Sequence, residues 1–123
     1  MLSNTKHIGN IGEKLTEEYL IKEGFIILER NYRSKYGEID LISLKNDKIF
    51  FFEVKTRKSL NFGFPVEAYT RMKQERIIKT ALIYINNLQV KKSFQFNLVS
   101  ILLSDSNDIK EFKIYENAID LFN

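Results

Sequence analysis

The spacing of hydrophobic and polar residues changes along the chain, and the change predicts a helix followed by three strands. Ile8, Ile11, Leu15 and Tyr19 fall on one helical stripe. Gly24 comes directly after this pattern and is a typical helix stop. Compact or alternating apolar runs then predict strands at Phe25–Leu28, Glu38–Leu44 and Ile49–Lys55.

The remaining pattern predicts a hairpin, a second helix and further strands. Asn46–Lys48 is typical of a turn, so the strands beside it are expected to pair antiparallel. Pro65, with its fixed φ, suits the start of a long helix over Val66–Asn86. Strands at Phe94–Leu103 and Ile109–Tyr115 and a short amphipathic segment at Ala118–Phe122 follow it. The order α-β-β-β-α-β-β(-α) predicts an α/β fold with helices on the faces of a mixed sheet.

Composition restricts the chemistry that such a fold can perform. The 123 residues suit one domain, residues 1–123, and 44% hydrophobic content is enough for a buried core. The absence of Cys excludes disulfides, thiolate zinc sites and cysteine nucleophiles. The single histidine, His7, excludes the paired imidazoles of a two-histidine nuclease or a zinc protease. Any catalysis would therefore rest on carboxylates, Lys, Arg, hydroxyls and a metal that prefers oxygen ligands.

Charge is unevenly distributed although the net charge is only +3. Residues 53–100 contain nine basic and three acidic side chains, a net charge of +6. Such a segment attracts polyanions, although a solvated basic helix face is the commoner meaning of the same count. No run approaches the ~18–20 apolar residues of a membrane helix. Because Met1–Asn10 also lacks the apolar core of a secretory signal, we expect a cytoplasmic protein without a membrane partner.

The chemically informative region is the predicted hairpin. Side chains alternate between the faces of a strand, so Glu53 and Lys55 are expected on one face and Val54 on the other. Asp40 is expected beside Glu53 because the ends of a hairpin return to each other. Two carboxylates and an ammonium in one patch suit phosphodiester hydrolysis. Carboxylates hold a hard cation such as Mg²⁺, and a nearby lysine orients water or stabilises negative charge in the transition state.

The same three residues also have a purely structural interpretation. Asp40 would be a polar residue near a turn, and Glu53 and Lys55 would form an exposed pair. The surrounding residues favour a site, because Leu41–Ile42 and Phe50–Phe52 make both strands apolar on two faces, as in a covered central sheet. Charges at the ends of such strands are costly unless they are paired or bound to a ligand.

Beyond these residues, a series of short motifs resembles the YraN-type family, small bacterial proteins predicted to be endonucleases. That family is similar in turn to Holliday-junction resolvases of archaeal type, within the PD-(D/E)XK nuclease superfamily. The resemblance extends from Gly9 to about Leu103. Its motifs are Gly9–Glu13, Tyr19–Leu20, Gly24–Phe25, Arg30–Arg33, Gly37–Ile42, Glu53–Lys55 and Arg57.

The resemblance implies a restriction-endonuclease-like α-β-β-β-α-β core with a divalent metal, Mg²⁺ or Mn²⁺, at the hairpin. The implied metal ligands are Glu13, Asp40 and Glu53, and Lys55 completes the implied catalytic set. The position of Glu13 also suits a first-turn acid that the helix dipole favours. Asn97 stands where the family usually has an aspartate, a change that affects a contact around the site rather than a metal ligand.

The expected partner is DNA, including branched DNA, and resolvases suggest a homodimer because they cut two strands symmetrically. Phosphate contacts are expected from Arg33, Arg57, Lys58 and Lys73. Lys73 has a second interpretation, in which its side chain simply runs outward along a helix face. Tyr32 suits base stacking, or, more commonly for such a residue, packing against the sheet.

These observations predict a metal-dependent endonuclease that hydrolyses phosphodiester bonds in DNA, including branched DNA of repair or recombination. One alternative is a nucleic-acid-binding domain of the same fold without catalysis. The other is a protein-interaction or structural domain that binds neither metal nor DNA beyond what a weakly basic surface gives.

Overall fold

The computed structural model describes residues 2–58 and 70–118, which form two helices and five strands. In chain order these are α1 (Leu2–Lys22), β1 (Ile26–Arg33), β2 (Glu38–Lys45), β3 (Lys48–Arg57), α2 (Arg71–Asn86), β4 (Phe94–Leu103) and β5 (Ile109–Tyr115). The predicted α-β-β-β-α-β order and the α/β class are therefore confirmed.

All five strands belong to one mixed sheet with the order β1-β2-β3-β4-β5. The neighbouring strands pair antiparallel except β3 and β4, which are parallel because the chain crosses over between them with α2. The parallel pair β3–β4 lies in the middle of the sheet, and β1 and β5 form its edges. The hairpin with the candidate carboxylates is thus in the interior of the sheet.

The two helices pack on opposite faces of this sheet. Ile77 and Ala81 of α2 share a buried cluster with Phe51, whereas Leu20 of α1 shares another with Phe52. Adjacent residues of a strand point to opposite faces, so each face has its own apolar core. This arrangement explains why β3 is apolar at successive positions.

The face that α1 buries is shifted from the predicted stripe. Among residues 6–22 of the helix, Gly12, Thr16 and Leu20 are buried. Three residues of the predicted stripe pack partly buried against the same core, namely Ile8, Ile11 and Leu15, whereas Tyr19 is 40% exposed with its ring beside that of Phe112. The prediction of Tyr19 on the buried stripe was therefore wrong, because glycine and threonine form the closest line of contact. The shift brings Glu13, the neighbour of Gly12, nearer to the sheet than the stripe suggested.

The β2–β3 hairpin has the predicted antiparallel pairing and turn. Asn46 and Asp47 both have positive φ, 50° and 62°, as a tight two-residue hairpin turn requires. The first strand, in contrast, is longer than the predicted Phe25–Leu28 and continues to Arg33. Its polar half has no apolar pattern because β1 is an edge strand and much of it faces solvent.

The second helix begins later than predicted. Thr70 has an extended backbone and caps α2, since its side chain accepts a hydrogen bond from Lys73 N. The prediction of an unbroken helix from Val66 was therefore wrong, and Pro65 itself lies outside the described residues. β5 is confirmed at its predicted position, whereas most of the amphipathic segment predicted at Ala118–Phe122 lies outside the described residues. Within residues 2–58 and 70–118, neither helix is both long and apolar enough to cross a membrane.

Candidate functional site

The candidate site lies where β2 and β3 separate. Their register ends with the pair Leu41–Phe52, and one further step would place Asp40 opposite Glu53. Here a side chain replaces the backbone pairing, because Val54 N donates to Asp40 Oδ2 at 2.7 Å. The carboxyl groups of Asp40 and Glu53 are in hydrogen-bond contact. The hairpin thus brings two carboxylates together at the end of the ladder.

Lys55 joins this pair from the same strand as Glu53. Its Nζ lies 3.3 Å from Glu53 Oε1, as expected for residues two apart on one strand. The Glu53 side chain is 13% exposed and that of Lys55 is 22% exposed. Asp40, Glu53 and Lys55 therefore form one largely buried cluster, which is the arrangement that the sequence suggested.

The two carboxyl groups are electrostatically strained. The pKa of Glu53 is raised to about 8, mainly by burial and then by the negative charge of Asp40, while Lys55 opposes the rise. Burial also raises the pKa of Asp40, although the hydrogen bond from Val54 N acts in the opposite direction. A proton on Glu53, which its pKa of about 8 favours near neutral pH, relieves the repulsion. A divalent cation would relieve it in the same way.

Glu13 reaches the edge of this cluster from α1. Its pKa is raised to about 7, mainly by burial and then by the negative charges of Asp40 and Glu38. The amide nitrogen of Asn31, turned toward the two carboxylates, donates to Glu13 Oε1 at 2.9 Å and to Glu38 Oε1 at 2.8 Å. Glu13 is therefore near Asp40 and is bonded through Asn31 to the strands.

The close approach of α1 depends on a glycine. A Cβ at Gly12 would lie 1.8 Å from Thr56 Oγ1 on β3, so no other residue fits there without a shift. Thr56 Oγ1 is buried and has no hydrogen-bond partner among residues 2–58 and 70–118. This contact holds α1 against β3 at Gly12, the residue directly before Glu13.

The donor set fits a hard divalent cation. Among residues 2–58 and 70–118, no three His, Cys, Asp or Glu side chains come together as a ready metal site, so Glu13 does not converge with Asp40 and Glu53. Two carboxylates are nevertheless sufficient for Mg²⁺, which usually keeps several waters and binds one or two carboxylates plus substrate phosphate. Asp40 and Glu53 supply that number. Mn²⁺ has the same preference for oxygen ligands.

Residues 12–101 match the model of a family described as "Uncharacterised protein family UPF0102". The chain belongs to the UPF0102 family. The matched segment includes Glu13, the whole β2–β3 hairpin and nearly all of β4. The resemblance to the YraN-type family is thereby confirmed.

UPF0102 relatives are similar to the chain over almost its full length. A UPF0102 protein from Dictyoglomus turgidum is 47% identical over 116 residues, which cover 94% of this chain and 98% of the relative. One from Clostridium tetani is 40% identical over 122 residues, covering 98% of this chain and all of the relative. One from Clostridium botulinum is 41% identical over 118 residues, covering 94% and 96% of the two chains.

The four basic residues predicted to contact DNA lie at different places in this UPF0102 chain. Arg57 and Lys58 follow Lys55 at the end of β3, where Lys58 Nζ donates to Asp105 O at 3.2 Å. Arg33 is exposed at the end of β1, and its Nε lies 3.3 Å from Glu38 Oε2. Lys73 is exposed in the first turn of α2. Of the four, Arg57 and Lys58 follow the catalytic lysine candidate most closely.

Three other residues around the site have clear roles in the UPF0102 structure. The interpretation of Tyr32 as a packing residue is confirmed, because the centroid of its ring lies 5.2 Å from that of Tyr84 in the core beneath α2. Asn97 is buried, and its Oδ1 accepts hydrogen bonds from Gln95 Nε2 and Asn117 N. Asn31 was not recognised from the sequence as part of the site. Its one signal is chemical, since asparagine adopts a positive φ, here 50°, more readily than other residues with a side chain.

Proposed function

We propose that this UPF0102 protein is a metal-dependent endonuclease that hydrolyses phosphodiester bonds in DNA. The observation that carries the proposal is the convergence of Asp40, Glu53 and Lys55 in one largely buried cluster. A fold has no structural need to place two carboxylates in contact at the end of a ladder, because the contact costs free energy unless a proton or a cation neutralises one of them.

Asp40 and Glu53 are the proposed ligands of Mg²⁺ or Mn²⁺, and Glu13 is the proposed third acidic residue beside them. When bound, such a cation lowers the pKa of a water molecule and offsets the negative charge that develops on the phosphate. The raised pKa values of Glu13 and Glu53, about 7 and about 8, support the assignment. They reflect burial first and then the repulsion between neighbouring carboxylates, and a bound cation would offset both.

Lys55 has the other proposed catalytic role. Its ammonium is 3.3 Å from Glu53 and faces the same cluster, so it lies close to any phosphate that the carboxylates recruit. There it stabilises the additional negative charge of the transition state. Arg57 and Lys58 continue along the chain beyond Lys55 and supply attraction for the DNA backbone.

The direct test is cleavage of branched and linear DNA by the purified protein in Mg²⁺ or Mn²⁺. We expect cleavage by the wild type and at least about a hundredfold loss in Glu53→Gln and Lys55→Ala, since removing one group that stabilises transition-state charge costs about 10²–10³ in rate. A matched control is available on β5, where Glu111 and Lys113 have the same spacing and an ion pair of 3.2 Å. The variants Glu111→Gln and Lys113→Ala are expected to cut like the wild type.

A wild type that cuts no DNA, or site variants that cut as well as the β5 controls, would contradict the proposal. Salt-dependent DNA binding that survives Glu53→Gln without any cleavage would favour the binding domain without catalysis instead. Calorimetric titration with Mn²⁺, alone and with DNA present, then distinguishes the endonuclease and the DNA-binding domain from a domain that binds neither metal nor DNA. The proposed homodimer is checked by sedimentation equilibrium, where the 14.6 kDa chain is expected at twice its mass.

A further inference from the structure

An open groove lies between the β1–β2 turn and α2. Its volume is about 720 Å³, and its described walls are Arg33–Glu38 of the turn together with Met72, Glu75, Arg76 and Lys79 of α2. We call it the turn groove. Glu38 belongs to its wall and also shares the Asn31 amide with Glu13. The groove therefore adjoins the carboxylate site.

The turn that forms one wall is held in place before any ligand arrives. Ser34 N donates to Gly37 O at 2.8 Å, which closes the turn. The Ser34 hydroxyl is 2.8 Å from Thr80 Oγ1 of α2, and it accepts a hydrogen bond from Tyr36 N at 3.0 Å. Because one serine bonds both the turn and the helix, the width of the groove is fixed by the fold, and little ordering is required on binding.

The turn groove has an excess of positive charge. Its two acidic residues are already paired, Glu38 with Arg33 at 3.3 Å and Glu75 with Arg71 at 3.8 Å. Its other cations, Lys35, Arg76 and Lys79, have no carboxylate partner among residues 2–58 and 70–118. These three side chains are therefore suited to contact phosphate groups.

An exposed aromatic ring lies among these cations. Tyr36 is 39% exposed, and the Nζ atoms of Lys35 and Lys79 are each 5.2 Å from its ring centroid. Met72, 63% exposed, adds apolar surface in the same groove. An exposed aromatic ring with two ammonium groups over it matches the two parts of a nucleotide, a flat base and an anionic phosphate. Away from its ends a duplex stacks each base between two neighbours, so there the face of a base is presented by an unpaired nucleotide.

We propose that the turn groove binds an unpaired nucleotide of the DNA, with its base stacked on Tyr36 and its phosphates beside the three cations. This inference rests on the proposed endonuclease function and narrows its substrate class. It makes the preferred substrate a DNA with a single-stranded segment next to the duplex, such as a flap, a gap or an open junction, rather than a continuous duplex.

The test measures binding in EDTA, so that it does not depend on cleavage. The probes are a fluorescein-labelled thymidine 20-mer and a blunt 20-base-pair duplex, followed by fluorescence anisotropy. We expect Tyr36→Leu to weaken binding of the single strand at least fivefold, the lower end of about 1–3 kcal/mol per stacked base, with little change for the duplex. Tyr36→Phe keeps the ring and is expected to bind within about twofold of wild type. Tyr115→Leu removes a tyrosine of similar exposure, 37%, from the opposite edge of the sheet and is the matched control.

A second variant tests the charged part of the groove. Lys79→Gln is expected to lower the slope of log K against log salt concentration by about 0.7 for the single strand, the value for one lost phosphate contact. The control Lys110→Gln, on exposed β5, is expected to leave the slope unchanged. Circular dichroism and melting temperature verify that each variant is folded.

The inference is overturned if the wild type does not bind the single strand, if Tyr36→Leu binds it as tightly as wild type, or if this variant loses duplex binding equally. Its failure differs from that of the proposed function. If the wild type cuts DNA and Tyr36→Leu binds the single strand unchanged, only the proposed role of the turn groove is contradicted. If Tyr36→Leu weakens single-strand binding but the wild type cuts no DNA, only the proposed endonuclease function is contradicted.

Discussion

Gly12 of α1 lies directly against Thr56 of β3. An alanine Cβ at position 12 would be 1.8 Å from Thr56 Oγ1, closer than non-bonded atoms come, and 3.0 Å from the Thr56 Cβ. The helix is therefore nearer to the sheet at this point than any side chain at position 12 would allow. Because Glu13 is the next residue, its distance from Asp40 depends on this contact.

We expect Gly12→Ala to destabilise the protein by about 1–3 kcal/mol, the usual cost of excess volume in a packed contact. Gly9 supplies a control in the same helix, because a Cβ there would meet no atom within 4 Å. Gly9→Ala is expected to stabilise by up to about 1 kcal/mol through helix propensity alone. Urea unfolding of the two variants measures both values.

A second substitution tests whether Thr56 is the cause of that loss. Thr56→Ala removes the Oγ1 atom that the new Cβ would meet, and within the described part of the chain this atom makes no hydrogen bond that would be lost. We therefore expect the double variant to recover part of the stability that Gly12→Ala loses, with a coupling of about 0.5 kcal/mol or more. Purely additive effects would show that the helix shifts for another reason.

The sequence was sufficient to predict the central strands of the sheet and the pairing of the two carboxylates. The physical reasons differ for these two features. β2 and β3 are apolar at successive positions, which only a strand covered on both faces requires, and their turn residues set the register that brings Asp40 to Glu53. Glu111 and Lys113 repeat the Glu-x-Lys spacing on β5. They lack the neighbouring aspartate and the covered strand, so spacing alone does not identify the site.

Other features depend on tertiary contacts that no local pattern contains. The polar half of β1 is a strand because β2 supplies its backbone partners, not because its side chains alternate. The buried line of α1 includes Gly12 and Thr16, which a hydrophobic stripe does not reveal. The turn groove likewise arises where the β1–β2 turn meets α2, residues that are about 40 positions apart in sequence.

The stability of the metal-free protein is expected to fall as pH rises from about 4.5 to about 8. In that window the folded protein keeps a proton on Glu53, whose pKa is raised from 4.5 to about 8, whereas the unfolded chain has lost it. Glu13, with its pKa raised from 4.5 to about 7, adds to the fall over the lower part of the window. Urea unfolding in EDTA at pH 5, 6.5 and 8 measures the free energy of unfolding.

The variant Glu53→Gln isolates the contribution of this carboxyl group. Glutamine resembles the protonated glutamate in shape and carries no charge at any pH. Each unit of raised pKa corresponds to about 1.4 kcal/mol, so the fall between pH 5 and pH 8 should be at least about 1 kcal/mol smaller in the variant. An equally steep fall in wild type and variant would contradict the raised pKa of Glu53.

Divalent cations are expected to restore the stability that the metal-free protein loses at high pH. At a concentration 100 times its dissociation constant, a bound ion adds about 2.7 kcal/mol to the stability of the folded state. Because protons on Glu53 and Asp40 compete with the ion, Mn²⁺ should raise the melting temperature more at pH 8 than at pH 6. Glu53→Gln should show little shift at either pH, while the control Glu111→Gln should respond like the wild type.

Asn31 connects Glu13 to the sheet. Two substitutions separate the contribution of its backbone conformation from that of its side chain. Its φ of 50° is in the left-handed region, and its amide bonds both Glu13 and Glu38. Asn31→Gly keeps the backbone conformation at no steric cost but leaves the two carboxylates without their shared donor. Asn31→Ala loses the donor and also strains the backbone.

We expect Asn31→Gly to lower stability by about 1–2 kcal/mol at pH 8, above the raised pKa of about 7 of Glu13, and by less at pH 5, below it. Asn31→Ala should lose about 1 kcal/mol more than the glycine variant at both pH values, because strain of a left-handed backbone does not titrate. Urea unfolding at the two pH values separates these contributions. If the glycine variant is equally destabilised at both, the Asn31 amide does not neutralise the repulsion between Glu13 and Glu38, and Glu13 is positioned by the Gly12 contact alone.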